Sequence, residues 1–137
     1  MKQLLADTDW LIRLEIELRS GEDGSAVALA KKSRVHVNPI SHAEFTSLGP
    51  SQPRQKALAM MHRTRNVDFQ DSQRAGDIRR LRSKQGKPLS TPDAFMAAMA
   101  IRYRFKLVTG DKDLSGIPGL RWSAYARTPA QAARRRN

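Results

Sequence analysis

The chain has no cysteine. That excludes disulfides and thiolate metal sites. Histidine is scarce, and His36, His42 and His62 show no metal-ligand spacing, so no zinc site is expected. Long apolar runs are missing too. No stretch approaches the roughly 20 residues of a membrane span. No segment pairs a continuous basic face with a strong apolar one, so no membrane partner is expected. The opening Met1–Asp7 meets an acid too early for a signal peptide, which leaves the cytoplasm as the expected compartment. Acids are the most telling shortage: 13 Asp and Glu stand against 25 Lys and Arg, a formal net charge of +12 in 137 residues. Such an excess points to a polyanionic partner, whether RNA, DNA or an acidic protein, over a basic surface kept only for solubility.

Four of the few acids sit where a strand or loop should meet a helix or turn. Asp7 closes the apolar run Leu4-Leu5-Ala6, and Glu44 sits in Ser41-His42-Ala43-Glu44. Asp93 lies in Ser90-Thr91-Pro92-Asp93-Ala94, and Asp111 follows Leu107-Val108-Thr109-Gly110. Carboxylate oxygens at element ends inside a positive protein suggest a hard-cation site. Mg2+ prefers such ligands, with Mn2+ as a substitute. A carboxylate–magnesium site on a basic surface is what phosphodiester hydrolysis needs.

Short apolar strands alternate with helices along the chain. Strands are expected at Leu4–Ala6, Val35–Asn38, Val67–Phe69 and Lys106–Thr109, with Leu120–Trp122 as a last short one. Helices are expected at Trp10–Arg19, at Ser25–Lys32, from a Ser41 cap, from Arg54 to Arg65, from Asp71 to Gln85, and from a Thr91 cap through Arg102. This order predicts an α/β fold: one domain, with a mostly parallel central sheet of four to five short strands flanked by helices. The domain is expected over residues 1–126, followed by a flexible basic tail at 127–137. Ligands of parallel sheets bind beyond the carboxyl ends of the strands, where Asp7 and Asp111 fall.

Each candidate also has a plainer explanation. Asp7 suits a helix N-cap. Ser41 and Glu44 have the spacing of a capping box. Asp93 would stabilise a helix N-terminus, and turns recruit acids such as Asp111. Asp113 could be a solvated loop acid. Thr8 and Thr109 could donate hydrogen bonds to the carboxylates or to a phosphate, or bond only local backbone. Arg79, Arg80, Arg82, Lys84 and Lys87 lead towards Asp93, and could hold an RNA backbone or form a solvated helix face. The methionine pairs Met60/Met61 and Met96/Met99 read as core filler, and Trp10 as a core or interface aromatic.

Taken in order, these segments resemble the PIN domain, and within it the VapC-type toxin ribonucleases. Ala6-Asp7-Thr8-Asp9-Trp10-Leu11-Ile12 looks like that family's opening Asp-Thr-Asn-x-Leu-Ile motif, and Ser41-His42-Ala43-Glu44-Phe45 like its glutamate-bearing second motif. Thr91-Pro92-Asp93-Ala94-Phe95-Met96-Ala97-Ala98-Met99-Ala100 is similar to the third. Leu107-Val108-Thr109-Gly110-Asp111-Lys112-Asp113-Leu114, with Ile117-Pro118-Gly119-Leu120, is similar to the fourth. The likeness reaches to about Trp122. Two positions depart from it: Asp9 stands where the family usually has Asn, and Gly110 where it often has a larger polar or basic residue.

The resemblance implies a magnesium-dependent endoribonuclease with Asp7, Glu44, Asp93 and Asp111 as catalytic carboxylates. Those four and Asp113 would be metal ligands, with Thr8, Asp9 and Thr109 as auxiliaries. It also implies an RNA substrate, an antitoxin partner and a homodimer. Two other readings compete: a non-catalytic RNA-binding PIN domain, and a haloacid-dehalogenase-like phosphatase. The second would use Asp7-Thr8-Asp9 and Gly110-Asp111-Lys112-Asp113. It wants Thr or Val at position 11, where Leu stands, and it gives Glu44 and Asp93 no role.

Overall fold

The computed structural model describes residues 1–64, 66–110 and 114–125. Five strands alternate with six helices among them: β1 (Lys2–Ala6), α1 (Thr8–Ser20), α2 (Ser25–Lys32), β2 (Ser33–Val37), α3 (Pro39–Thr46), α4 (Gln52–Ala59), β3 (His62–Arg63), α5 (Phe69–Lys84), α6 (Thr91–Tyr103), β4 (Lys106–Thr109) and β5 (Trp122–Ala124). The strands form one sheet in the order β3-β2-β1-β4-β5, and every pairing is parallel. The expected α/β class and parallel sheet are what the chain adopts.

Period-two alternation along the strands divides the core into two layers. Leu4 and Ala6 of β1, Val35 and Val37 of β2 and Val108 of β4 pack with Trp10, Leu11 and Leu14 of α1, Val27 of α2 and Phe45 of α3. Leu5 and Leu107 point the other way, against Ala75 and Ile78 of α5 and the small-residue body of α6. Ala94, Ala97, Ala98 and Ala100 are fully buried and let α6 approach the sheet closely.

Several helix starts differ from the sequence expectation. Asn38, not Ser41, caps α3, with its side chain accepting the Ser41 N–H and Pro39 in the first turn. Ser41 is instead fully buried inside the helix, so no Ser41–Glu44 capping box exists. Ser90, not Thr91, caps α6. Val67–Phe69 is not a strand, because Asp68 and Asp71 close a reciprocal capping box that starts α5 there. The third strand is His62–Arg63, held by pairing with His36 and Val37. The helix expected to run from Arg54 begins earlier, after a Ser51 cap, and ends at Ala59 to make room for that strand; Arg65 lies outside the described residues. The last strand falls at Trp122–Ala124, two residues beyond the expected start. The basic tail at 127–137 also lies outside the described residues.

A buried carboxylate joins α1 to α2. The N-cap of α2 is Gly24, which has no side chain to offer. Glu17 of α1 takes over, accepting the Ala26 N–H at 3.2 Å and the Val27 N–H at 3.0 Å. It also accepts from Arg13 Nε at 2.8 Å. A neighbouring acid, Glu15, holds α4 to α1 by accepting from Arg54 Nε at 2.5 Å and Arg54 Nη2 at 3.1 Å. No helix among the described residues is long and apolar enough to cross a membrane.

Candidate functional site

β1 is the strand at which the topology reverses. From it the chain moves to β2 on one side, and it returns through β4 on the other. Crevices at such switch points, beyond the carboxyl ends of the strands, are where parallel sheets place ligands. Asp7 occupies this point. Its N–H donates to the Val108 carbonyl at 3.2 Å, which carries the β1–β4 ladder one residue past the strand. Its carboxylate then does two jobs. Oδ1 caps α1 by accepting the Trp10 N–H at 2.8 Å, and Oδ2 accepts the Gly110 N–H at 3.3 Å from the end of β4.

The side chain of Asp7 is buried, and burial pushes its carboxyl up from 3.8 to about 7. The nearby Asp9 carboxylate raises it further, while the Trp10 N–H, the Thr109 hydroxyl and the Gly110 N–H pull it down. The capping role is therefore real, but it does not explain why a charged residue stands there. Asn is as good a cap and carries no charge to bury.

Glu44 reaches the same crevice from α3. It is exposed, and its Oε1 accepts the Thr8 hydroxyl at 2.8 Å, which ties α3 to the first turn of α1. Asp93 arrives from the first turn of α6, half-buried, with its N–H on Ser90 Oγ at 3.2 Å. Asp7, Thr8, Asp9, Glu44 and Asp93 all line one pocket of about 130 Å³, together with Pro92 and Met96. Behind Asp7 and Asp93 the wall is mostly apolar, built from Leu89, Met96, Leu107, Leu114 and Ile117. Thr109, buried at the end of β4, completes it.

Asp111 and Asp113 lie outside the described residues. Among the described residues, no three His, Cys, Asp or Glu side chains form a closed ligand group. Four carboxylates, Asp7, Asp9, Glu44 and Asp93, around an open pocket still fit magnesium, which needs only one or two of them and keeps several waters. The raised proton affinity of Asp7 is what a buried carboxylate shows when no cation balances it.

The basic residues of α5 do not form one face. Arg79 and Arg80 are exposed; Arg79 Nε donates to the Leu89 carbonyl at 3.1 Å and Arg80 Nη2 meets Asp77 at 3.1 Å. Lys84 and Lys87 are exposed as well. Arg82 is buried, with 3% of its surface accessible. Its Nη1 donates to Gln85 Oε1 at 2.9 Å, and Gln85 Nε2 donates to the Gly116 carbonyl at 3.0 Å. Arg82 is thus part of a clamp on the loop behind the acid pocket and does not stand on the exposed face beside Arg79 and Arg80. The spacing Asp71-Ala75-Ile78-Arg82, which follows the buried stripe of α5, carried that signal.

Two further contacts matter, made by an expected cap, Ser41, an expected strand residue, Asn38, and two methionines expected as core filler. Ser41 Oγ donates to Met96 Sδ at 2.9 Å, and Asn38 Nδ2 to Met99 Sδ at 3.4 Å. These contacts fix α3, with Glu44, against α6, with Asp93. The pair Asn38-Pro39 was the available signal for the start of α3.

A parallel α/β domain with convergent carboxylates at its switch point is the class that fold and site define. The PIN domain family model matches residues 4–120, and the chain belongs to that family. No curated protein sequence matches it. Among solved structures, VapBC2 from Rickettsia felis, bound to a DNA fragment from their promoter, superposes with a TM-score of 0.66 at 17% identity, over 90% of this chain and 98% of that one. A toxin–antitoxin complex from Klebsiella pneumoniae gives a TM-score of 0.62 at 27% identity, over 90% and 98%. VapBC-5 from Mycobacterium tuberculosis, of the VapBC family of toxin–antitoxin systems, gives 0.61 at 20% identity, over 91% and 100%.

Proposed function

We propose that this chain is a magnesium-dependent endoribonuclease, the toxin of a type II toxin–antitoxin pair, acting in the cytoplasm as a homodimer held in check by a cognate antitoxin. The observation that carries the catalytic reading is the convergence of Asp7, Glu44 and Asp93 on one pocket, from three segments far apart in the sequence. The toxin reading and the antitoxin partner rest on the likeness to the toxin–antitoxin complexes named above.

Asp7, Glu44 and Asp93 would hold the cation, joined by Asp111 and Asp113. When bound, magnesium supplies Lewis-acid polarisation of a phosphoryl oxygen, and Mn2+ would substitute for it. The residues do the rest. The Trp10 and Gly110 N–H groups fix both oxygens of Asp7. Thr8 orients Glu44. Burial raises the Asp7 carboxyl to about 7 without the cation, so a cation held there would displace its proton. The apolar wall of Leu89, Leu114 and Ile117 keeps water from its rear. Asp9 adds negative charge at the mouth of the pocket, where Asn is usual in the family.

A magnesium titration with single-stranded RNA and an aryl phosphate side by side tests the reading. Metal-dependent cleavage of RNA alone is the expected result. Phosphatase activity would favour the haloacid-dehalogenase-like alternative, and metal-independent RNA binding without cleavage a non-catalytic PIN domain.

The basic face gives a second expectation. Replacing Arg79 and Arg80 with Ala should weaken affinity for many RNAs alike. It should also flatten the logarithmic salt dependence by about 0.7 per lost phosphate contact. The cleavage position should hardly move, because phosphate contacts position a strand without reading its bases. Arg82→Ala should instead lower thermal stability, since it opens the clamp on Gly116. Binding isotherms across a salt series, with melting curves beside them, separate the two; unchanged slopes would remove Arg79 and Arg80 from the RNA path.

A further inference from the structure

A second polar pocket, of about 230 Å³, opens beyond the carboxyl ends of β2 and β3. It lies on the same edge of the sheet as the acid pocket, and α3 borders both: Pro39 and His42 line this one, Glu44 the other. We infer that this pocket binds one nucleotide of the RNA strand next to the scissile phosphate and sets the base preference there. The inference rests on the ribonuclease reading above.

Three features carry it. Among the described residues no acidic side chain lines the pocket, although acids dominate its neighbour. Arg63 is exposed at its rim, and among the described residues neither its guanidinium nor the His42 ring has a hydrogen-bond or ion-pair partner. An unpaired guanidinium fork matches a phosphate in geometry and charge. The Pro39 ring and the His42 imidazole supply flat surface for a base to stack on, as single-stranded RNA does on aromatic side chains.

Reading the base edge falls to Asn66. Asn38 also lines the pocket, but its amide is engaged inward, with Oδ1 on the Ser41 N–H and Nδ2 on Met99 Sδ. Asn66 is exposed, and among the described residues only its backbone carbonyl is engaged, by Arg102 Nη2 at 3.4 Å. Its side-chain amide offers one acceptor and two donors to a Watson–Crick edge. The volume falls below the roughly 300–1,000 Å³ of ordinary small-molecule sites, which suits one unit of a longer strand better than an enclosed free ligand.

The test uses a labelled, random-sequence pool of single-stranded RNA with wild type, Arg63→Gln and Asn66→Ala. Both positions are exposed and lie outside the acid pocket, and melting curves check that the variants fold. Binding is measured in chelator, where no cleavage occurs, and cut ends are sequenced after adding magnesium. Arg63→Gln should weaken metal-free binding about tenfold and lower the logarithmic salt slope by about 0.7. Asn66→Ala should relax base preference at a single position beside the cut. Wild-type affinity and an unchanged cut-site profile in both variants would overturn the pocket while leaving the nuclease intact. Absence of metal-free RNA binding by wild type would overturn it too. Weakened binding by Arg63→Gln, in a wild type that never cleaves, would uphold the pocket and remove the nuclease reading instead.

Discussion

Asp7→Asn is expected to abolish RNA cleavage and, in the absence of metal, to make the protein more stable. The first effect follows from losing a direct charge partner for the cation, which should cost orders of magnitude in rate. The second follows from proton linkage. The carboxyl stands near 7 in the folded chain against 3.8 for the free group, so the native state holds its proton more tightly than the unfolded chain does. The resulting penalty is absent below 3.8, grows as pH rises towards about 7, and is complete above it. Asn keeps the cap to Trp10 and removes the charge penalty, but sets its amide NH2 against the Gly110 N–H. At pH 8 in chelator the variant should therefore be more stable than wild type by less than the full penalty of a few kcal/mol.

Magnesium should narrow that difference. A ligand that binds only the native state stabilises it by about 2.7 kcal/mol at a hundredfold excess over its dissociation constant. Wild type should gain this increment, and Asp7→Asn should gain little. Melting curves with and without magnesium across pH 4 to 9 check both signs. A wild type whose melting temperature ignores saturating magnesium at pH 8 would count heavily against the carboxylate site, and undiminished cleavage by Asp7→Asn would end it.

Glu17→Ala is expected to be the most damaging substitution away from the acid pocket. It leaves two buried N–H groups at the start of α2 and the Arg13 guanidinium without their acceptor. Breaking such a buried charged cluster costs about 3–5 kcal/mol. A methyl group at Gly24 would sit 2.4 Å from the Glu17 carboxyl carbon, so Gly24→Ala should also destabilise, by displacing the same carboxylate. The two losses should not add. Gly24→Ser in the Glu17→Ala background should recover about 1 kcal/mol by giving α2 a cap of its own. Chemical denaturation of wild type, the two single variants, the Glu17→Ala/Gly24→Ala double variant and Glu17→Ala/Gly24→Ser measures the coupling; strict additivity would mean that Glu17 does not cap α2.

The frame of this fold was open to reading because its signals are local. Leu4–Ala6, Val35–Val37 and Lys106–Thr109 are short apolar runs between helical periodicities, and buried parallel strands have that form. Asp7 and Asp93 stood out because each closes or opens such an element. Other features depend on partners distant in sequence. His62–Arg63 is exposed and patternless, and is a strand only through its pairing with β2. Glu44 looked like half of a capping box until Asn38 took the cap and left its carboxylate facing Thr8. Arg82 looked like one of a run of surface cations, although its spacing from Ile78 already placed it inward. The pocket walls, in which Met96 accepts from Ser41, had no local signal in the sequence at all.

The central place of β1 bears on when the site comes into being. Asp7 lies near one end of the chain, and the Gly110 N–H that holds its Oδ2 is 103 residues further on. Contacts of such long sequence separation form late, because the whole intervening loop must close first. A chain growing from its N-terminus has made α1 to α4 before β4 exists to dock beside β1. Until Lys106–Thr109 emerges, Asp7 is a carboxylate at an open sheet edge, and Asp93 has no crevice wall to complete. The pocket at the switch point is therefore assembled only after β4 has docked beside β1.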